Sequence, residues 1–283
     1  MVGIICDISY TRHHLFQSYY HSVKNLYGVP KIVKTVQDLD GIEMLFIGDD
    51  HYQVHKEIWQ QKGFIEKCNS DGIRVIVFTN ERILDSFFPW NKDNLLILQR
   101  FERLYHYGND VDDCEKLGMK LNRQSMSKNF KSDFSNIEKK NKVVFIGKTY
   151  GSSYKERRVV LEQIRRVIEV DVIESVIPDW NEYMKTIAGY RFVLSPIGNG
   201  NFFPMRVYEA LSVGSIPIHQ IRGNTLELYN IERGYDDCIF FINPRDVRKK
   251  IRECTLARSH NMIWMEDNIG LLLKQDNLWN RMI

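Results

Sequence analysis

The chain has 283 residues, 43% of them hydrophobic and 27% charged, with a formal net charge of +3. That length suits two ordinary domains, and the apolar fraction supplies a sizeable core. The mildly basic balance suits an enzyme handling anionic ligands and is only weak evidence for nucleic-acid binding, which is not expected, and no apolar run approaches the ~18 residues that a membrane span needs.

The N-terminal "MVGIICDISY" lacks a basic leader region, so it reads as a first strand rather than a signal peptide, and a soluble, cytoplasmic protein is expected. "VGIICDIS" is followed by a loop, "YTRHH", and by a helix through "LFQSYYHSVKNLYG" that stops at Gly28. "EMLFIGDD" is a second strand, and residues 52–72 carry helical spacing. "IRVIVFT" is a third strand, "NERILDSFF" a short helix and "NLLILQRF" a further strand. Apolar runs of strand length alternating with helical patterns predict parallel β-α-β units. The five cysteines (Cys6, Cys68, Cys114, Cys238 and Cys254) form no C-x-x-C pair, so neither a zinc site nor a disulfide framework is expected.

From Lys120 to Lys142 the chain is polar, basic and poor in aliphatics, which reads as a linker. A second alternation then begins. It runs through the strand "KVVFIGK", a helix over 153–168, the strand "VDVIES", the helix "DWNEYMKTIAG" and the strand "YRFVLSPI". The helix "PMRVYEALSVG" and the strands "SIPIHQ" and "DCIFFIN" come next, and residues 244–283 read as helical. The expected fold is α/β, with two Rossmann-like parallel-sheet domains at 1–138 and 139–259. A helical tail at 260–283 is expected to pack back on the first domain.

In open parallel sheets, ligands sit at the carboxyl ends of strands, so the strand-to-helix junctions are where chemistry is sought. The junction "SPIGNGNFFPMRVYEALSVGSIPI", residues 195–218, is the richest. Gly198 and Gly200 let backbone N–H groups come close to a ligand, and Pro204 suits a first helical turn. Arg206 and Glu209 are three residues apart and share one helical face near the amino end, where anions are already favoured. An arginine there forms a fork for a diphosphate, and a carboxylate one turn later can accept hydrogen bonds from ribose hydroxyls. The bland alternative is an exposed Arg206–Glu209 ion pair worth a few tenths of a kcal/mol.

These residues resemble the donor-binding signature of exostosin-like glycosyltransferases, in which S-P-x-G-N-G precedes an R-x-(aromatic)-E-A-L helix and a G-x-x-P strand. The resemblance implies a GT-B fold, with two Rossmann-like domains facing a cleft and the nucleotide sugar held mainly by the second. It also implies a UDP-sugar donor, a glycan acceptor, inversion at the anomeric carbon, and no cofactor or obligatory metal. By position Arg206 would meet the diphosphate and Glu209 the ribose, with Ser195, Gly198, Asn199 and Gly200 lining the turn. Many relatives carry a polar stretch before the arginine, where this chain has Phe202, Phe203, Pro204 and Met205. The short format also resembles the glycosyltransferases that large algal viruses use for capsid glycans, some of which transfer xylose; UDP-xylose is therefore the leading donor.

Other patterns carry less. "FIGKT" lacks the upstream glycine of a P-loop, since that position is Lys142, but its turn faces the donor in a GT-B domain. Lys148, Arg157 and Arg158 are then either phosphate neighbours or solvated charges. No G-x-G-x-x-G follows an early strand, which argues against a nicotinamide enzyme. Asp110 and Asp112 mimic a metal-binding D-x-D but open a polar segment, so a helix cap with solvent-facing acids is the simpler account. Inverting transfer needs a base for the acceptor hydroxyl, expected at a strand end of the first domain. "GDDHY" offers Asp49, Asp50 and His51, and "YTRHH" offers Arg12, His13 and His14. Asp50 is favoured, His13 is the reserve, and Asp49 could instead cap a helix. A non-catalytic GT-B relative that binds a nucleotide or glycan is the alternative function.

Overall fold

The computed structural model describes residues 1–6, 14–49, 57–79, 95–100, 120–122, 126–130, 133–134, 136–151, 155–174, 177–196, 205–221, 238–254, 264–267 and 269–270. The chain divides into two compact units, one of residues 1–130 with 264–283 and one of residues 131–263. Each is built on a parallel sheet, so the chain is α/β, as the alternating pattern predicts.

The first unit contains β1 (Val2–Ile5), α1 (His14–Tyr27), β2 (Lys31–Ile32), β3 (Met44–Asp49), α2 (Phe64–Ser70), β4 (Arg74–Thr79), β5 (Leu95–Arg100) and β6 (Lys120–Asn122). The strand order is β2-β1-β3-β4-β5-β6, with Ile5 opposite Ile47 and Ile47 opposite Val77. Helix α1 buries Tyr19 and Val23, one turn apart, and ends where Gly28 adopts φ +85° and donates its N–H to the Lys24 carbonyl at 2.9 Å. The helical pattern over 52–72 is not one helix: residues 57–59 are helical, and the chain then turns at Gly63 (φ +83°) into α2. Phe64 and Cys68 on α2 join Leu45, Ile47, Trp59 and Val75 in the core.

Two elements escape the sequence pattern. β2 is a two-residue edge strand, and β6 is a strand inside the segment read as a linker. β6 owes its strand form to the ladder offered by β5 rather than to its own apolar content. Just beyond it, Met126 and Ser127 are fully buried. They meet the C-terminal segment: Met265 donates its N–H to the Met126 carbonyl at 3.0 Å. The buried Glu266 carboxylate accepts from Ser127 Oγ (2.5 Å), Asn25 Nδ2 (2.9 Å) and the Lys128 N–H (3.1 Å). The helix expected over 80–88 and the pair Asp110 and Asp112 lie outside the described residues.

The second unit contains β7 (Lys140–Ile146), α3 (Lys155–Arg165), β8 (Val170–Ile173), α4 (Trp180–Ala188), β9 (Tyr190–Ser195), α5 (Met205–Ser212), β10 (Ile216–Gln220), β11 (Ile239–Phe241) and α6 (Val247–Glu253). Its strand order is β11-β10-β9-β7-β8, parallel throughout. Both sheets thus follow the doubly wound order 2-1-3-4-5, in which the winding reverses between the first and third strands. α3 and α6 share one face of this sheet, and α4 packs against α5, as right-handed crossovers in this strand order would place them. Val160, Leu161, Ile164 and Val247 fill the first face against Phe145, Phe192, Leu194 and Ile218. At the opposite end of the sheet the Lys139 ammonium donates to the carbonyls of Ala188 (2.8 Å) and Val213 (3.0 Å), tying down the chain where α4 and α5 end. No helix among the described residues is long and apolar enough to cross a membrane.

Candidate functional site

In the second unit the winding reverses between β7 and β9, and ligands of doubly wound sheets bind at the carboxyl ends of the strands at such a reversal. β7 delivers Gly147, Lys148 and Thr149 to that place, and β9 delivers Ser195. Gly147 donates its N–H to the Ile173 carbonyl at 2.9 Å and adopts φ +146°, a conformation open to glycine. A Cβ at Gly147 would lie 3.3 Å from Arg206 Nη1 and 3.6 Å from Nη2. The glycine therefore gives the Arg206 guanidinium room to lie against the backbone of the β7 turn. The guanidinium also sits over the Phe145 ring, 5.8 Å from the centroid.

Arg206 stands at the start of α5, one turn before Glu209. The exposed ion pair weighed from the sequence is not what forms. Glu209 is buried, and among the described residues no ion pair joins it directly to Arg206. The Tyr183 hydroxyl of α4 stands between them. It donates to Glu209 Oε2 at 2.5 Å and accepts from Arg206 Nε at 3.4 Å. Burial pushes the Tyr183 hydroxyl well above its ordinary value, so it remains a donor. Burial also raises the Glu209 carboxyl, against the opposing pull of the Arg206 charge and the Tyr183 hydrogen bond. Tyr183 was not a sequence candidate. Its one local signal is a polar-tipped aromatic on a helix whose Met184 and Ile187 are buried.

Ser195 ends β9, and its Oγ is buried with no hydrogen-bond partner among the described residues. Its carbonyl is held at 2.7 Å by Nδ1 of the buried His219 on β10. Lys148 is exposed, with its ammonium 5.9 Å from the Tyr150 ring centroid. Arg157 on α3 turns back to donate to the Lys148 carbonyl at 3.3 Å, so it braces the β7 turn. Thr149 Oγ1 donates to Glu174, closing the other side of that turn. The site thus assembles Arg206, Glu209 and Tyr183 with Gly147 and Lys148 across the reversal, and Ser195 at the end of the neighbouring strand. Gly198, Asn199 and Gly200 lie outside the described residues, as do Asp50 and His13.

No family model and no curated protein matches the chain. Among solved structures it is similar to Anabaena HepE (Alr3699) in complex with UDP and glucose. That pair is 9% identical with a TM-score of 0.48, covering 97% of this chain and 94% of that one. It is also similar to the pneumococcal O-GlcNAc transferase GtfA in complex with UDP and GlcNAc. Here the identity is 12% and the TM-score 0.39, over 87% of this chain and 58% of that one, so the chain spans little more than half the length of GtfA. At such identities the chemistry must be derived from this chain's own side chains.

Proposed function

We propose that the chain is a UDP-sugar-dependent glycosyltransferase of the GT-B type, acting with inversion and without a metal on a hydroxyl of a glycan acceptor. The observation that carries this reading is the Arg206 guanidinium, laid against Gly147 at the winding reversal with its two terminal nitrogens toward the β7 turn. A guanidinium at a helix start presents a planar fork to a diphosphate. Glu209, one turn further on, is the acceptor for ribose hydroxyls, and the Ser195 hydroxyl is a further donor at the same sheet end. Gly198, Asn199 and Gly200 supply backbone N–H groups from the turn, and Lys148 adds positive charge beside the phosphates. Arg157 supports this from behind by fixing the Lys148 carbonyl.

In the reaction the acceptor oxygen bonds to the anomeric carbon as the bond from that carbon to the diphosphate breaks. The acceptor proton passes to a base, and UDP leaves with the bonding electrons. Arg206 stabilises the negative charge that grows on the leaving diphosphate. Asp50 is the proposed base and His13 the reserve, because both follow strands at the reversal point of the first sheet, β3 and β1. The resemblance to viral capsid-glycan enzymes makes UDP-xylose the first donor to try. UDP should raise the Tm in the presence of EDTA, by ~2.7 kcal/mol of stabilisation at a hundredfold excess over Kd. Arg206→Ala should lose most of that shift and slow transfer by a factor matching ~1.5–3 kcal/mol. A shift with GDP alone, or an Arg206→Ala variant with unchanged UDP affinity, overturns the assignment. Slow hydrolysis of UDP-xylose without acceptor separates an enzyme from a protein that merely binds.

A further inference from the structure

Two opposite charges one helical turn apart, one of them buried, should close on each other. In this chain they do not. Arg206 offers its Nε to the Tyr183 oxygen, and Glu209 Oε2 accepts a hydrogen bond from the Tyr183 hydroxyl. That leaves the outer edge of the guanidinium, Nη1 and Nη2, over Gly147. We propose that Tyr183 is a positioning residue that insulates Arg206 from Glu209, holding the guanidinium fork on the ligand side of the reversal point. The inference rests on the UDP reading above and adds the device that keeps the site open before ligand arrives.

The mechanism is a competition for one cation. With the hydroxyl in place, the Glu209 carboxylate has a neutral donor on Oε2, and the inner edge of Arg206 has a neutral acceptor. Each charge is solvated by the same oxygen, so neither has to seek the other. Without the hydroxyl both groups lose their partner at once. The guanidinium then swings from Gly147 to the carboxylate, its nearest anion. A diphosphate arriving at the turn would have to break that pair before binding. Tyr183 touches neither the sugar nor the reacting bond in this scheme, so its effect travels through Arg206 alone.

The test is a double-mutant cycle read on UDP affinity, with each variant's thermal transition recorded beside it. Tyr183→Phe should weaken UDP binding roughly tenfold or more, the loss expected for a hydrogen bond to a charged group. In the Glu209→Gln background the same substitution should change UDP affinity little, because no carboxylate remains to capture the arginine. Loss of packing would weaken binding equally in both backgrounds, and that result overturns the proposal. So does a Tyr183→Phe variant that binds UDP as the wild type does. Should Tyr183→Phe fail to fold, Tyr183→Leu deletes the same hydroxyl and enters the same cycle. A wild-type chain that binds no UDP removes the donor assignment and this inference together. Wild-type binding with a flat cycle removes the inference alone.

Discussion

Gly147→Ala tests the site at the point where backbone and side chain constrain each other. The residue adopts φ +146°, and placing an L side chain there costs about 1–3 kcal/mol. The new methyl would also stand 3.3 Å from Arg206 Nη1, so the guanidinium must retreat by a few tenths of an ångström. Arg206 has little freedom to do so, because its Nε is engaged by Tyr183 and its plane lies over Phe145. The substitution should therefore lower the Tm by several degrees, at roughly 2–4 °C per kcal/mol for a chain of this size class. It should also weaken UDP, and the second effect should vanish when Arg206→Ala is already present. The assay is thermal unfolding for stability, with UDP titration in the single and double variants. If Gly147→Ala binds UDP and unfolds like the wild type, the turn geometry and the placement of Arg206 are both wrong. If it loses UDP binding equally with and without Arg206, the loss comes from the turn itself.

Glu266→Ala should lower the unfolding free energy by an amount on the order of 2 kcal/mol and shift the urea midpoint down accordingly, because Ser127 Oγ, Asn25 Nδ2 and the Lys128 N–H each lose an acceptor. An unchanged midpoint would remove Glu266 as the tie between the C-terminal segment and α1. Burial raises the Glu209 carboxyl above its unfolded value, so the folded chain holds that proton to higher pH and loses stability as pH rises from the ordinary carboxylate range through the raised one. Without ligand, Glu209→Gln should accordingly raise the Tm at neutral pH, with the gain shrinking in acid; a gain that is the same at both pH values counts against a charged, buried Glu209.

The parts of this chain that were legible are those whose sequence signal is local. "EMLFIGDD", "IRVIVFT", "KVVFIGK" and "YRFVLSPI" read as strands because parallel strands covered by helices on both faces are apolar without interruption. Gly28 marks the end of α1 because only a residue tolerant of positive φ closes a helix that way. β2 and β6 were not legible, because an edge strand takes its form from its neighbour's unpaired ladder and leaves little trace in its own residues. The break at Gly63 was hidden for the opposite reason: apolar residues on both sides of it keep helical spacing, while the glycine alone turns the chain.

The site divides along the same line. Arg206 and Glu209 stand out because a glycine turn, a helix start and an i, i+3 pair fall within one short stretch. Tyr183 does not, since it lies 23 residues from Arg206 and 26 from Glu209 in sequence. Only the winding brings them together: β8 and β9 flank β7, so the helices leaving β8 and β9 pack side by side on one face. The same topology sets the turn after β7 beside the start of α5, which is why Gly147 and Arg206, 59 positions apart by their numbers (206 − 147), share one contact. An isolated R-x-x-E reads as a surface ion pair. Placed at the reversal point of a doubly wound sheet, beside a glycine of positive φ and a helix that carries a tyrosine, the same four residues become a cation held apart from its anion. Under the proposed UDP reading that separation leaves the guanidinium available to a diphosphate, and it comes from strand order rather than from the motif.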